Sequence, residues 1–415
     1  MGEKRVVITG MGTVNPLGNS VTETWDKASA GISGIARITR FDASRINAKI
    51  AGEVKDYDMT PFVSEKHLKI ARRMDPFVHY AAGAVSEALS QSGLDVQIET
   101  DRLGICIGSG LGGVDAQNNA SAALATTGPR RISPFYIPAA IGNIATGLLS
   151  IIYDITGPNL SVQTACATSN HSMIIAFMTI KSGLADAMIA GGTEGAVTEL
   201  GTGGFSNRRA LSTNFNDDPI RASRPYDVDR DGFVIAEGAG ALIFEEFDHA
   251  RERGADILCE VKSIGMSGDA YDLVMPEPNG EGAERSMRMA LNTGEIPIEE
   301  LHYVNTHGTS TPLGDVAEAK AVYRVLDGNE EFAHVSSTKS VHGHVLGATG
   351  AVEAIICVEA IRHGIVPPSI NIDRLDPEVP LSCINTVPIE KDIRVALSNS
   401  FGFGGHNSSV VLAKI

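Results

Sequence analysis

Short apolar runs alternate with longer helical patterns along most of the 415 residues, and many of the runs end in turns rich in Gly, Ser or Thr. That alternation points to α/β layering, because strands joined by helix-length connections pair in parallel and need helices on their faces. In the first half the strand candidates are Arg5–Thr9, Leu103–Gly108, Leu160–Gln163 and Ala187–Ala190. In the second they are Cys259–Ile264, Tyr303–Asn305, Ala333–Ser336, Val395–Asn399 and Ser409–Ala413. Two pairings hint at duplication: Leu103–Gly108 resembles His302–His307, and the Cys166 segment resembles Ser336–Lys339. The length exceeds one typical domain. With no low-complexity tract or flexible linker, two tightly packed halves are expected, residues 1–256 and 257–415.

A hydrophobic content of 43% with 20% charged residues describes a soluble globular chain, and a net charge of −16 opposes nucleic acid as a partner. The five cysteines are odd in number and lack pairing spacings, and Cys106, Cys259 and Cys357 lie in apolar runs. This reads as a reduced cytoplasmic protein rather than a disulfide framework. A strand starting at Arg5 leaves no room for a signal peptide, and Val6 removes the hydroxyl that a myristoylation signal needs. The longest apolar helical stretch, Ile137–Tyr153, is interrupted by Asn143 and Thr146, so it reads as a core or interface helix and not a membrane span.

Cys166 lies where a strand-like segment breaks into a helix whose apolar face is Met173, Ile174, Phe177 and Met178, with Lys181 in its last turn and Gly183 at C′. Backbone N–H groups at a helix start favour thiolate, so a lowered pKa is expected there. A lone cysteine is more often a small buried hydrophobe. Two distant histidine segments change its context: Asn305-Thr-His307-Gly-Thr-Ser-Thr-Pro312 and Lys339-Ser-Val-His342-Gly-His344 each follow a strand and precede a helix, so both could face one cleft. A metal centre using His342 and His344, with Cys166 or His307, is the competing reading, although no carboxylate or cysteine flanks the pair at ligand spacing. Gly108-Ser-Gly110-Leu-Gly-Gly113 fits a dinucleotide fingerprint but lacks the acidic residue about twenty positions on. Its glycines read instead as close backbone packing.

Taken together, Thr164-Ala-Cys166, Asn305-x-His307-Gly-Thr-Ser-Thr-Pro, Lys339-x-x-x-Gly-His344 and Asn399-Ser-Phe401-Gly-Phe403-Gly-Gly405 resemble the β-ketoacyl-acyl carrier protein synthases that elongate fatty acids, type II more than type I. The resemblance covers nearly the whole chain. It implies a thiolase-like fold, two βαβαβαββ halves in a five-layer α-β-α-β-α block, normally a homodimer. It also implies that Cys166 is the acylated nucleophile and His307 and His344 the decarboxylation and condensation pair. Lys339 would support that pair electrostatically with Glu353, and the Phe403 N–H would join that of Cys166 in an oxyanion hole. Leu111, Phe205 and Phe401 would lie near the acyl channel, with Phe403 as its gate. No resident cofactor or metal is implied, since phosphopantetheine arrives on the acyl carrier protein.

The chemistry agrees with that resemblance. A thiolate attacks a thioester, backbone donors hold the tetrahedral oxyanion, and two imidazole N–H groups can hold the enolate left by malonyl decarboxylation. Hydrolysis would need only one base. Thr309 and Thr311 suit hydrogen bonding to a pantetheine arm, or to their own turn. An acidic carrier needs a basic patch on this acidic chain, and Lys66, Lys69, Arg72 and Arg73 at helical spacing, with Arg130-Arg131 and Arg208-Arg209, are the candidates. His342, Thr349 and His406 depart from the family pattern, where a small or hydroxyl residue, alanine and threonine are usual. The rivals are a stand-alone polyketide ketosynthase and a non-catalytic partner subunit; the intact Cys-His-His set opposes the second. A thiolase would need another active cysteine, and Cys357 and Cys383 are badly placed for that.

Overall fold

The strand-forming runs assemble into one hydrogen-bonded sheet in the computed structural model, which describes residues 4–96 and 100–415. Its elements are β1 (Val6–Val14), α1 (Pro76–Ser92), β2 (Leu103–Gly108), β3 (Asn159–Leu160), α2 (Thr168–Lys181), β4 (Ala187–Glu194) and β5 (Gly238–Glu246), then β6 (Cys259–Gly268), α3 (Glu281–Thr293), β7 (Tyr303–Asn305), α4 (Pro312–Leu326), β8 (His334–Ser336), α5 (Thr349–His363), β9 (Val395–Gly402) and β10 (His406–Ala413). The strand order is β8-β7-β9-β10-β6-β1-β5-β4-β2-β3. Read outward from β1 or from β6, each half has the same order and the same pattern of two antiparallel pairings followed by two parallel ones. The faint pairing of the Leu103 and His302 segments is therefore a true duplication: β2 and β7 hold the same place in their halves. The halves join where Val6, Val7 and Ile8 pair with Val261, Glu260 and Cys259.

Three apolar cores explain the five layers. Outer helix α1 packs on β1 and β5, with Phe77, Val85, Ile105 and Ile243 in one core. Outer helices α3 and α4 build a second with Met287, Val322 and Leu397. Between the two half-sheets lie α2 and α5, whose Met173, Phe177, Ile355 and Cys357 share the third with Ile8 and Val410. Residues Thr349–Ile361 are all buried, so α5 needs no polar face. Burying each large apolar side chain contributes about 1.5–3 kcal/mol.

Strand β5 was not expected from the sequence. It opens Gly238-Ala-Gly-Ala, a poor strand signal, but a Cβ on Gly240 would lie 2.9 Å from the backbone of Ala351, so the glycine lets α5 lie directly on the sheet. Leu160–Gln163 shortens to the two-residue β3, and the Ile137–Tyr153 stretch divides into helices Tyr136–Ala140 and Ile144–Tyr153. On α2, Met178 turns outward while Met173, Ile174 and Phe177 are buried. Among the described residues, no helix is long and apolar enough to cross a membrane.

Candidate active site

Between β3 and α2 the chain makes a three-residue 3-10 turn, Ala165–Ala167, with Cys166 at its centre. Ala165 has φ 50°, a region that costs an L-residue roughly 1–2 kcal/mol. Surrounding backbone holds the turn in place. Gly402 on β9 packs so closely that a Cβ there would lie 2.5 Å from the Thr164 carbonyl oxygen and 3.2 Å from the Cys166 nitrogen. Strand β9 thus brings Phe403 beside Cys166, and the backbone N–H groups of both residues point at the thiol.

One ring nitrogen each of His307 and His344 and the Cys166 Sγ lie within 4.8 Å of one another. The imidazole rings stand edge to face, 5.3 Å between centroids at 83°. Burial, reinforced by the Lys339 charge, lowers both histidines well below their ordinary pKa, so both are neutral at pH 7. Thr349 Oγ1 lies 3.0 Å from His344 Nδ1, which leaves Nε2 free.

The expected lowered pKa of Cys166 is corrected. Burial pushes its thiol up to about 12, and the Glu194 carboxylate adds to this, against the pull of Lys339 and the two backbone N–H groups. A single helix start acts locally, whereas desolvation comes from every element packed around the sulfur. The resting group is a thiol, and its proton must leave as the sulfur attacks.

Lys339 is fully buried, with Nζ 2.5 Å from Glu353 Oε1 and 3.4 Å from the Thr306 carbonyl oxygen. His342 is buried against the same group, its Nε2 3.1 Å from Thr338 Oγ1 and 3.9 Å from Glu353. The cysteine–histidine cluster therefore contains His307 and His344 but not His342, which corrects the reading of His342 and His344 as a chelating pair.

A cavity of about 390 Å³ opens onto the site. Thr309, Thr311, Phe205, Phe401 and Phe403 line it, as do Arg208 and Arg209. The two threonine hydroxyls are 3.0 Å apart, so each can satisfy the other. Leu111 does not line this cavity and is 37% exposed. Lys66, Lys69, Arg72, Arg73, Arg130 and Arg131 are exposed and lie outside the cavity lining. The helix Glu65–Ala71 ends before Arg72 and Arg73, and Arg73 lies 4.3 Å over the Phe135 ring, so the four do not form a single helical stripe. His406 is exposed, its ring 6.2 Å from that of His171.

Residues 3–250 match the family description "Beta-ketoacyl synthase, N-terminal domain", and residues 258–373 match "Beta-ketoacyl synthase, C-terminal domain". The chain belongs to the β-ketoacyl synthase family. It is 47% identical to the 3-oxoacyl-[acyl-carrier-protein] synthase 2 of Coxiella burnetii over 416 residues, covering all of both chains. Among solved structures, the ishigamide ketosynthase/chain length factor superposes with a TM-score of 0.92 at 30% identity. The type II PKS ketosynthase complex AntDE:AntF, which holds its acyl-carrier protein, does so with 0.90 at 28%, and full coverage applies to both.

Two residues of this β-ketoacyl synthase escaped the sequence reading. Glu318 on α4 accepts from the backbone N–H groups of His307 (2.7 Å) and Gly308 (2.6 Å), fixing the turn that presents the imidazole. Glu194, at the end of β4, accepts from Gly110, Leu111 and Gly347 N–H and from the Ser109 hydroxyl. Burial raises both carboxyls to about 7. The Gly108–Gly113 turn thus wraps a carboxylate rather than a phosphate, and a Cβ on Gly110 would lie 2.8 Å from Glu194 Oε2. The available signal was an acid inside an apolar element, in Val316-Ala-Glu318-Ala and Met188–Glu194.

Proposed function

We propose that this chain elongates acyl groups on acyl carrier protein by decarboxylative Claisen condensation with malonyl-acyl carrier protein, in fatty acid biosynthesis. The observation that carries the mechanism is the convergence of the Cys166 sulfur and two neutral imidazoles within 4.8 Å, beside two backbone N–H groups. The Cys166 thiol attacks the acyl thioester, the bond from the acyl carbon to the carrier's phosphopantetheine sulfur breaks, and the thiol proton passes to that departing sulfur, with the N–H groups of Cys166 and Phe403 holding the oxyanion; one such donor is worth roughly 3–4 kcal/mol. His307 and His344 then hold the thioester oxygen of the malonyl group as carbon dioxide departs, and the carbanion attacks the acyl-Cys166 carbonyl. Burial, together with Lys339 paired to Glu353, keeps both imidazoles neutral and therefore able to donate one N–H each. The first half, residues 1–256, supplies the nucleophile, and the second, 257–415, supplies the histidines.

The acyl carrier protein brings phosphopantetheine to Thr309 and Thr311 through the cavity, and Arg208 and Arg209 at its lining attract the acidic carrier. The working form is a homodimer in the cytoplasm. Strand β3 ends the sheet with one edge unpaired and Leu160 45% exposed, and Ile137, Ile141 and Ile151 are exposed on the two helices preceding it and the turn between them. Leu111 belongs to that face, because its neighbours Gly112 and Gly113 lie against Ala139 and Ala140. The higher identity to a 3-oxoacyl-acyl carrier protein synthase (47%) than to the type II PKS ketosynthase (28%) favours fatty acid elongation.

Cys166→Ala tests the reading. Acyl-enzyme formation and condensation are expected to vanish while malonyl decarboxylation persists, since only the first half-reaction needs sulfur; elongation by the variant, followed by product mass spectrometry, would sink the mechanism.

A further inference from the structure

We propose that Cys166, His307 and His344 form a three-ligand site for a thiophilic divalent cation of the zinc class, and that its occupation blocks acyl loading on Cys166. One donor atom from each lies within 4.8 Å of the others. Zinc holds sulfur at about 2.3 Å and imidazole nitrogen at about 2.0–2.1 Å, which sets tetrahedral ligand atoms roughly 3.5 Å apart. Closing the cluster therefore asks for side-chain shifts of about 1 Å. The fourth position faces the cavity, where water completes the shell.

Two further observations point to a ligand. His307 Nδ1 is buried with no hydrogen-bond partner among the described residues, so one imidazole face is left unsatisfied. His344 is already oriented from behind by Thr349, the outer-shell contact that metal-ligating histidines ordinarily have. Lys339 opposes the cation, but its ammonium is paired with Glu353, and the Glu318 carboxylate lies under the His307 backbone. The balance is simple: the Cys166 S–H bond breaks, the proton goes to solvent, a sulfur–metal bond forms and one aquo ligand remains. No redox change occurs.

The binding needs no condensation chemistry; only its consequence, blocked acyl loading, rests on the proposed function. The test uses the full enzyme with chelator-buffered free Zn²⁺ and, separately, Co²⁺ as a spectroscopic probe. Saturating Zn²⁺ is expected to slow iodoacetamide alkylation of Cys166 about tenfold or more by peptide mass, with one proton released per metal. Co²⁺ should give a thiolate charge-transfer band that Cys166→Ser abolishes, and His307→Gln should weaken the site about tenfold or more. Enzyme already acylated on Cys166 should show neither effect. Unchanged alkylation, a Co²⁺ band that survives Cys166→Ser, or equal Zn²⁺ affinity in His307→Gln would overturn the proposal. These arms read metal without turnover, so their failure is distinct from failure of the condensation reading.

Discussion

The two halves carry the same elbow and use it differently. In the first, Ala165–Ala167 leads into α2; in the second, the 3-10 turn Leu346–Ala348 leads into α5, and Ala165 and Leu346 share φ 50°. Cys166 at the middle of one corresponds to Gly347 in the other. Thr168 opens α2 and accepts from the Thr164 N–H at 2.9 Å, whereas its counterpart Thr349 bonds His344 Nδ1. The connections also differ. Four residues, 161–164, separate β3 from its elbow, but nine, 337–345, separate β8 from its own, and the longer segment holds Lys339, His342 and His344. Duplication supplied the scaffold; the lengthened connection supplied Lys339 and His344, while His307 comes from the turn between β7 and α4.

The largest expected effect comes from emptying that connection of its charge. Lys339→Met leaves Glu353 buried and unpaired, a loss of about 3–5 kcal/mol. Burial already raises Glu353, so in the variant the folded state keeps a proton that the unfolded state releases. Stability then falls as pH rises above the unfolded carboxyl value, and the penalty in denaturant titrations should be larger at pH 8 than at pH 6. Adding Glu353→Leu should restore most of the stability without restoring condensation. If the double variant condensed at the parent rate, the connection would be scaffold alone.

A smaller effect separates the elbows themselves. A Cβ at Gly347 would lie 2.4 Å from the Gly110 nitrogen and 2.8 Å from Glu194 Oε2, so Gly347→Ala should cost about 1–3 kcal/mol in thermal unfolding and disturb the Gly108–Gly113 turn. Alanine at position 166 removes only sulfur and should leave the melting temperature close to the parent's. Equal melting temperatures for the two variants would erase the distinction between a chemical elbow and a packing one.

Much of this contrast was legible in the chain. Cys166, His307 and His344 stand at strand-to-helix junctions, and period and turn chemistry locate such junctions locally. What the sequence hid was set by packing from a distance. The state of the Cys166 thiol depends on desolvation by segments hundreds of residues away, and β5 is a strand because its small residues admit α5. Glu318 and Glu194 take their roles only once distant turns fold around them. The acyl-channel place that the family resemblance implies for Leu111 is likewise invisible in local pattern, where the turn shows only backbone N–H groups of Gly110 and Leu111 aimed at Glu194.

The finest contrast is between the paired threonines. A hydroxyl can donate to or accept from an imidazole, so Thr349 can hold His344 with the Nε2 lone pair free to take the Cys166 proton, and equally with Nε2–H present to hold an enolate oxygen. Thr349→Ala removes that dual partner and leaves His344 Nδ1 buried and unsatisfied, at about 1–1.5 kcal/mol, or roughly tenfold in kcat/KM. The loss should fall on kcat rather than KM and change the pH profile of condensation, and Thr349→Ser should recover it. Thr168→Ala, which removes a backbone cap of similar strength, should lower the melting temperature and leave the pH profile intact. A Thr349→Ala enzyme with the parent's pH profile would reduce Thr349 to the role of Thr168 and make the two elbows alike in all but the sulfur.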